Sequence, residues 1–236
     1  MNNRKNAPAV FRPGAFALLV LIVINLAMIA ISVVRYPAFW SQPGARAFVV
    51  EPMSVLVAYA IAIVCIARTQ STYWDGILRA AGIFGVLAGA LEIINIGIES
   101  GTPFSTRGPA LQIVFMLSIF TSWGIAGFRT VRSIGSIRAG LLAAVCSAGI
   151  CMLIAVTAGF LIQFFLAAPR PDYVSTWSEF KRSGWTDPRA FELANTLESG
   201  FTHLLFAPIV ALVFGGVASL LARFVLPGTT PIVAPD

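Results

Sequence analysis

Charged residues are scarce in this sequence. They make up 11% of its 236 residues, whereas an average soluble domain carries about 25%. Histidine occurs once and cysteine three times, with no CxxC pair and no histidine–cysteine spacing typical of a metal site, so neither thiol redox chemistry nor a bound metal is expected. Basic residues form no run and no glycine-rich phosphate loop occurs. The net charge of +6 therefore does not indicate nucleic-acid or nucleotide binding.

Apolar residues take the place of the missing charge. They account for 58% of the sequence, and the mean hydropathy is +0.85. Six apolar stretches meet or approach the roughly 20 residues needed to cross about 30 Å of hydrocarbon. They are residues 14–34, 50–67, 77–98, 109–128, 139–168 and 200–225. The sequence predicts an all-α, polytopic membrane protein: a six-helix transmembrane bundle over 14–226, with a partly helical outer loop at 169–199.

The positions of lysine and arginine predict the orientation of the chain. With the N-terminus inside, the inner segments hold nine basic residues and the outer segments seven. Four of those seven lie in the long outer loop, to which the positive-inside rule does not apply. The short segments therefore hold nine basic residues on the inner side and three on the outer side. We expect the N-terminal arm 1–13 and the tail 227–236 to be cytoplasmic. We expect the protein to lie in a plasma membrane. The absence of an N-x-[ST] sequon and the compact design favour the inner membrane of a bacterium.

Several residues predict where helices begin and how they pack. Pro52 lies in the first turn of the second span, where a missing N–H costs nothing. Asp187 followed by Pro188 is a strong helix start, so the sixth helix is expected to begin two or three turns outside the membrane. Within it, Pro208 should release the carbonyl group of Leu204.

The outer loop carries a further short helix in this interpretation. Residues 174–182 are expected to form an amphipathic helix that Gly184 ends. Its Trp177 and Phe180 would rest on the membrane surface, because aromatic side chains favour that interface.

The central functional hypothesis concerns polar groups inside the spans, where an ionisable residue is costly and therefore a candidate for function. Glu92 lies near the outer end of the third span, and Asn95 follows on the same helix face. His203 and Gln163 lie at similar depth in the sixth and fifth spans, and Gln112 lies in the first turn of the fourth. Three or four helices are thus predicted to converge on a polar pocket near the outer surface, and these five residues are the candidate ligand-binding set.

Small residues continue the same helix faces inward and predict close helix packing. Spacings of four between small residues let two helices approach closely in a membrane. The predicted packing residues are Gly85, Gly89, Gly159, Ala207, Ala211 and Gly215. Asn25, a single polar residue in the middle of the first span, is expected to hydrogen-bond to another helix.

Three functions fit this polar set. A binding or transport protein would hold a small or lipidic ligand in an outward-facing polar pocket, and this is the function we favour. A non-catalytic accessory subunit of a larger membrane complex would use the polar set for packing alone. An intramembrane enzyme would use Glu92 and His203 as acid and base. No residue is assigned a catalytic role, because no serine or cysteine nucleophile has a base beside it.

The sequence also limits the cofactors and partners. Neither lysine lies in a span, which excludes a retinal Schiff base, and one histidine cannot ligate haem from both sides. No cofactor and no metal are expected. The expected partners are the lipid bilayer, a small-molecule or lipid ligand, and a membrane protein or second copy of the chain, and no nucleic acid.

Overall fold

A computed structural model of the protein describes residues 13–69, 72–101, 108–163 and 171–225. These ranges contain helices and no strand, and six of the helices are long and apolar enough to cross a membrane. The helices are α1 (Pro13–Arg35), α2 (Ala45–Arg68), α3 (Thr72–Gly101), α4 (Pro109–Ile134), α5 (Ile137–Leu161), α6 (Pro171–Val174), α7 (Ser178–Ser183) and α8 (Pro188–Val225), with a short 3-10 helix, Pro37–Ser41, between α1 and α2. The predicted all-α six-helix bundle is confirmed. Most of the arm 1–13, residues 164–168 of the fifth predicted span and the tail 227–236 lie outside the described residues.

Helix α5 is the centre of the bundle. It packs against α1, α3, α4 and α8, while α2 packs on α1 and α8. In α5, 67% of the most apolar 18-residue window is buried, against 17 to 33% in the other five long helices. Its many alanine and glycine residues allow this, because small side chains let four neighbours approach one helix. We call the end of the bundle where α3 ends and α4 begins the outer end, after the predicted orientation.

Glycines set the closest helix contacts, as their spacing predicted. A Cβ atom added at Gly85 would lie 2.8 Å from the Cβ of Ile150, so α3 and α5 meet with no room for a side chain there. A Cβ atom at Gly89 would lie 3.1 Å from Ile154, one turn further out. On the other side of α5, Gly215 of α8 lies against Ala144 of α5 and leaves no room for a side chain of its own.

The predicted packing role is wrong at Gly159. A Cβ atom added there would meet no atom of another helix within 4 Å, because the residue faces a cavity instead of a neighbouring helix. Ala211 is fully buried in the bundle. Ala207 is buried too, at the border of the same cavity.

Asn25 joins α1 to the central helix, as expected of a polar residue inside a span. Its side-chain amide donates to the hydroxyl of Thr157 at 2.8 Å and to the carbonyl oxygen of Leu153 at 3.4 Å, both on α5. The Thr157 hydroxyl in turn donates to the same Leu153 carbonyl at 2.7 Å. Asn25 is fully buried, so these bonds satisfy its amide N–H groups in place of water.

Helix α8 begins where the sequence predicted. Asp187 caps it, since its Oδ1 accepts from the backbone N–H groups of Arg189 at 2.8 Å and Ala190 at 3.1 Å. The helix then runs without a break for 38 residues to Val225. Its first turns therefore extend beyond the predicted sixth span, which starts at residue 200.

Two local predictions are wrong. Helix α2 begins at Ala45, directly after Gly44 in the left-handed conformation, so Pro52 lies in the helix interior and not in its first turn. The predicted helix over 174–182 is two short helices, because the hydroxyls of Ser175 and Thr176 bond to carbonyls three residues earlier and close a turn.

The outer loop packs on the bundle through aromatic side chains. Trp177 and Phe180, expected on the membrane surface, lie edge-on against Phe191 of α8, with ring centroids 6.5 Å and 5.4 Å away. Trp185 is buried and contacts Phe39 of the α1–α2 connection at 5.7 Å. The loop is thereby fixed to the first outer connection.

Candidate functional site

The outer half of α4 stands apart from the bundle. None of its first ten residues, 109–118, is buried, whereas eight of the thirteen from Ile119 to Val131 are. In the inner half, a Cβ atom added at Gly127 would lie 3.1 Å from the carbonyl oxygen of Gly140 on α5 and 3.3 Å from that of Gly215 on α8. Glycines therefore hold the inner halves together, and space opens between the outer halves.

That space is a cavity of about 690 Å³ between α3, α4, α5 and α8, which we call the outer cavity. Its volume lies within the range of about 300 to 1,000 Å³ typical of small-molecule sites. Its walls combine two kinds of surface. Aromatic and aliphatic side chains form one part, and amide, hydroxyl, carboxyl and imidazole groups form the other.

All five candidate ligand-binding residues line the outer cavity. Glu92 and Asn95 come from α3, Gln112 from α4 and His203 from α8, while Gln163 lies two residues beyond the end of α5. Glu92 and Asn95 are half-buried, whereas Gln112 and His203 are exposed. Among the described lining residues, Glu92 is the one acidic side chain, and none is a lysine or an arginine.

Gln163 connects two of the cavity-lining helices. Its side-chain amide donates to Oε1 of Glu192 on α8 at 2.7 Å. This bond to a carboxylate is charge-assisted and joins the end of α5 to the first turns of α8. Gln163 therefore has a structural partner as well as a place on the cavity wall.

The His203 ring is oriented by its own helix. Its Nδ1 lies 2.6 Å from the carbonyl oxygen of Ser199, one turn earlier, and 3.4 Å from the Ser199 hydroxyl. Both contacts lie within α8, and neither involves Glu92, the acid–base partner that the enzyme hypothesis requires. The ring is held at the cavity wall through one of its two nitrogens.

Four further polar residues of α8 line the outer cavity and were missed by the sequence reasoning. They are Asn195, Thr196, Ser199 and Thr202. The periodic pattern that placed His203 contains their signal, since Asn195 and Ser199 precede it at intervals of four on one helix face. The predicted face was extended inward from His203, through Ala207 and Ala211, and not outward.

Trp123 belongs to the apolar part of the cavity wall. Its side chain is 1% exposed, and its ring stacks at a tilt on Phe120, 5.2 Å between centroids. Its indole N–H finds no nitrogen or oxygen acceptor among the described residues. Met116 and Phe206 line the same part of the cavity and are about half exposed, so they add a thioether and an aromatic surface that suits a hydrocarbon chain.

The outer cavity can thus accept a molecule with both a polar and an apolar part. Across the described ranges, no group of three or more histidine, cysteine, aspartate or glutamate side chains is placed to hold a metal ion. The polar wall offers carboxylate, amide, hydroxyl and imidazole groups. These can hydrogen-bond a headgroup while the aromatic wall excludes water from a chain.

Comparisons with protein-family models, with curated proteins and with solved structures found no match to this chain.

Proposed function

We propose that this protein binds a small amphiphilic or lipidic molecule in the outer cavity, reached from the outer side of the membrane, and holds or moves it there. The observation that carries the proposal is the cavity itself: four helices meet tightly at one end of the bundle and line an open space of about 690 Å³ at the other. Both this volume and the mixed polar and apolar wall are typical of a small-molecule site.

The composition of the wall supports an amphiphile over a purely polar solute. Phe120, Met116 and Phe206 offer an apolar surface, and Glu92, Asn95 and His203 offer polar groups to the same space. A ligand with one polar end and one apolar end satisfies both parts. A sugar or an inorganic ion would leave the aromatic part unpaired.

The unburied outer half of α4 supports entry from the outer leaflet of the membrane, on the side from which the outer cavity is reached. Residues 109–118 contribute no buried side chain, so few contacts would be lost if this half-helix moved away from α3 and α8. Lipidic molecules are concentrated in the bilayer beside it. An opening on that side would admit them without exposing their chains to water.

Glu92 provides the sharpest test of the proposal. The protein in lipid nanodiscs is incubated with tritiated dodecyl amphiphiles that carry cationic, neutral or anionic headgroups, and saturable binding is measured by scintillation proximity. We expect at least one of them to bind at one molecule per chain, and Glu92→Gln to weaken that binding by about tenfold, since the amide replaces one carboxyl oxygen by an NH2 group that cannot accept a hydrogen bond.

Glu198→Gln is the matched control. It makes the same chemical change on an exposed residue of α8 that does not line the outer cavity, so its binding should equal that of the original protein. If Glu92→Gln binds as well as Glu198→Gln while both remain folded, Glu92 serves packing. If none of the amphiphiles binds, the accessory-subunit hypothesis gains instead.

A further inference from the structure

The position of the proton on His203 follows from its hydrogen bond. Nδ1 lies 2.6 Å from the carbonyl oxygen of Ser199, and a backbone carbonyl only accepts. Nδ1 must therefore carry the proton of the neutral imidazole. The other ring nitrogen, Nε2, then bears a lone pair and is a hydrogen-bond acceptor.

Nε2 is available to whatever occupies the outer cavity. The hydrogen bonds that the described residues make to His203 both involve Nδ1. The side chain is exposed and lines the cavity. Because Nδ1 is held by the preceding helical turn, the ring cannot turn over to present an N–H without breaking that bond.

We propose that the outer cavity selects ligands whose headgroup carries a hydrogen-bond donor, a hydroxyl or an amine. Nε2 of His203 accepts the hydrogen bond from that donor. This inference rests on the proposed function and specifies the class of ligand. Headgroups that only accept hydrogen bonds, such as ethers and esters, would leave Nε2 without a partner once they displaced water. We expect them to bind about tenfold more weakly than donors of the same size.

The single histidine makes the test direct. Protein labelled with ¹⁵N-histidine contains one imidazole, so its NMR spectrum in nanodiscs reports His203 alone. Without ligand, the spectrum should show the proton on Nδ1. The probes are 1-O-dodecylglycerol, which has two hydroxyl donors, and its 2,3-di-O-methyl ether, which has none and keeps the chain and the oxygen atoms.

The glycerol ether should bind about tenfold more tightly than its dimethyl derivative and move the Nε2 resonance upfield, while the derivative leaves it in place. His203→Phe keeps a ring and removes Nε2, and should bind the two compounds equally.

Equal affinity of the original protein for both, with an unmoved Nε2 resonance, would overturn donor selection and leave amphiphile binding intact. Failure of both compounds to bind at all would overturn the proposed function together with this inference. The spectra of the original protein decide the matter even if His203→Phe does not fold.

Discussion

The hydroxyl of Tyr59 on α2 donates a hydrogen bond to the carbonyl oxygen of Leu204 on α8, at 2.8 Å. Pro208 has no N–H group, so this carbonyl lacks the donor that a helix normally supplies four residues later. Inside a span no water replaces that donor, and a neighbouring helix has to provide one. The carbonyl that Pro208 was expected to release is thus the acceptor that joins α2 to α8, one residue after His203.

Removing the Tyr59 hydroxyl should destabilise the protein more when Pro208 is present than when it is replaced. Tyr59→Phe is expected to lower the free energy of unfolding by about 1 kcal/mol, the size of a good hydrogen bond between membrane helices. In a Pro208→Ala background the restored N–H of residue 208 serves the Leu204 carbonyl, so the same Tyr59→Phe change should cost less. Reversible unfolding in mixed micelles, measured for the four proteins of this double-mutant cycle, gives the coupling.

Tyr173→Phe is the control for that cycle, because it deletes a hydroxyl from a half-exposed ring of the outer loop. It should leave the unfolding free energy unchanged. Equal costs of Tyr59→Phe with and without Pro208 would show that Tyr59 does not serve the released carbonyl.

Asn25→Ala should loosen α1 from the rest of the bundle. The change removes the donor to the Thr157 hydroxyl, at 2.8 Å, and leaves a small buried void. We expect a loss of about 1 to 2 kcal/mol in unfolding free energy. Ser32→Ala on the same helix deletes a bond that stays within α1, to the carbonyl of Met28 at 2.6 Å, and should cost clearly less. A loss no larger than that of Ser32→Ala would contradict the bridging role.

Two glycines one turn apart on α3 should respond in opposite ways to alanine. Gly85→Ala places a methyl group 2.8 Å from Ile150 and from the carbonyl oxygen of Ser147, and should destabilise the protein by about 1 to 3 kcal/mol through overpacking. Gly82→Ala meets no atom within 4 Å and should stabilise the helix by up to about 1 kcal/mol. Unfolding measurements that gave both variants the same sign would argue against the close α3–α5 contact.

The long helices could be predicted because hydropathy reports them directly, but their ends could not. Ala45 to Val49 precede the apolar stretch of the second span and are helical all the same, which moved Pro52 into the helix interior. The Asp187 cap was found because an aspartate–proline pair at a helix start has a local cause. In 174–182, by contrast, the hydroxyls of Ser175 and Thr176 bond to backbone carbonyl oxygens and divide the predicted helix.

Five polar residues of the outer cavity followed from depth and helix face, whereas four others on α8 and the cavity itself did not. Whether Glu92 and His203 face a filled bundle or a space depends on how far α4 lies from its neighbours, and no local pattern encodes that distance. Gly159 illustrates the difficulty, because a small residue looks the same whether it admits a neighbouring helix or leaves room for a ligand. Tyr59 was overlooked because its acceptor lies 145 residues away in the sequence.

Filling the outer cavity tests the central claim most directly. Gly159→Leu should place a side chain in the cavity, since a Cβ atom added there meets no atom within 4 Å and the residue lines the cavity. Gly97→Leu makes the same change at an exposed position of α3 that also has open space and does not line the cavity. Native mass spectrometry of the proteins released from nanodiscs then shows which of them retain a bound amphiphile. We predict one amphiphile on the original protein and on Gly97→Leu, and none on Gly159→Leu. Equal retention by Gly159→Leu and Gly97→Leu would contradict binding in the outer cavity.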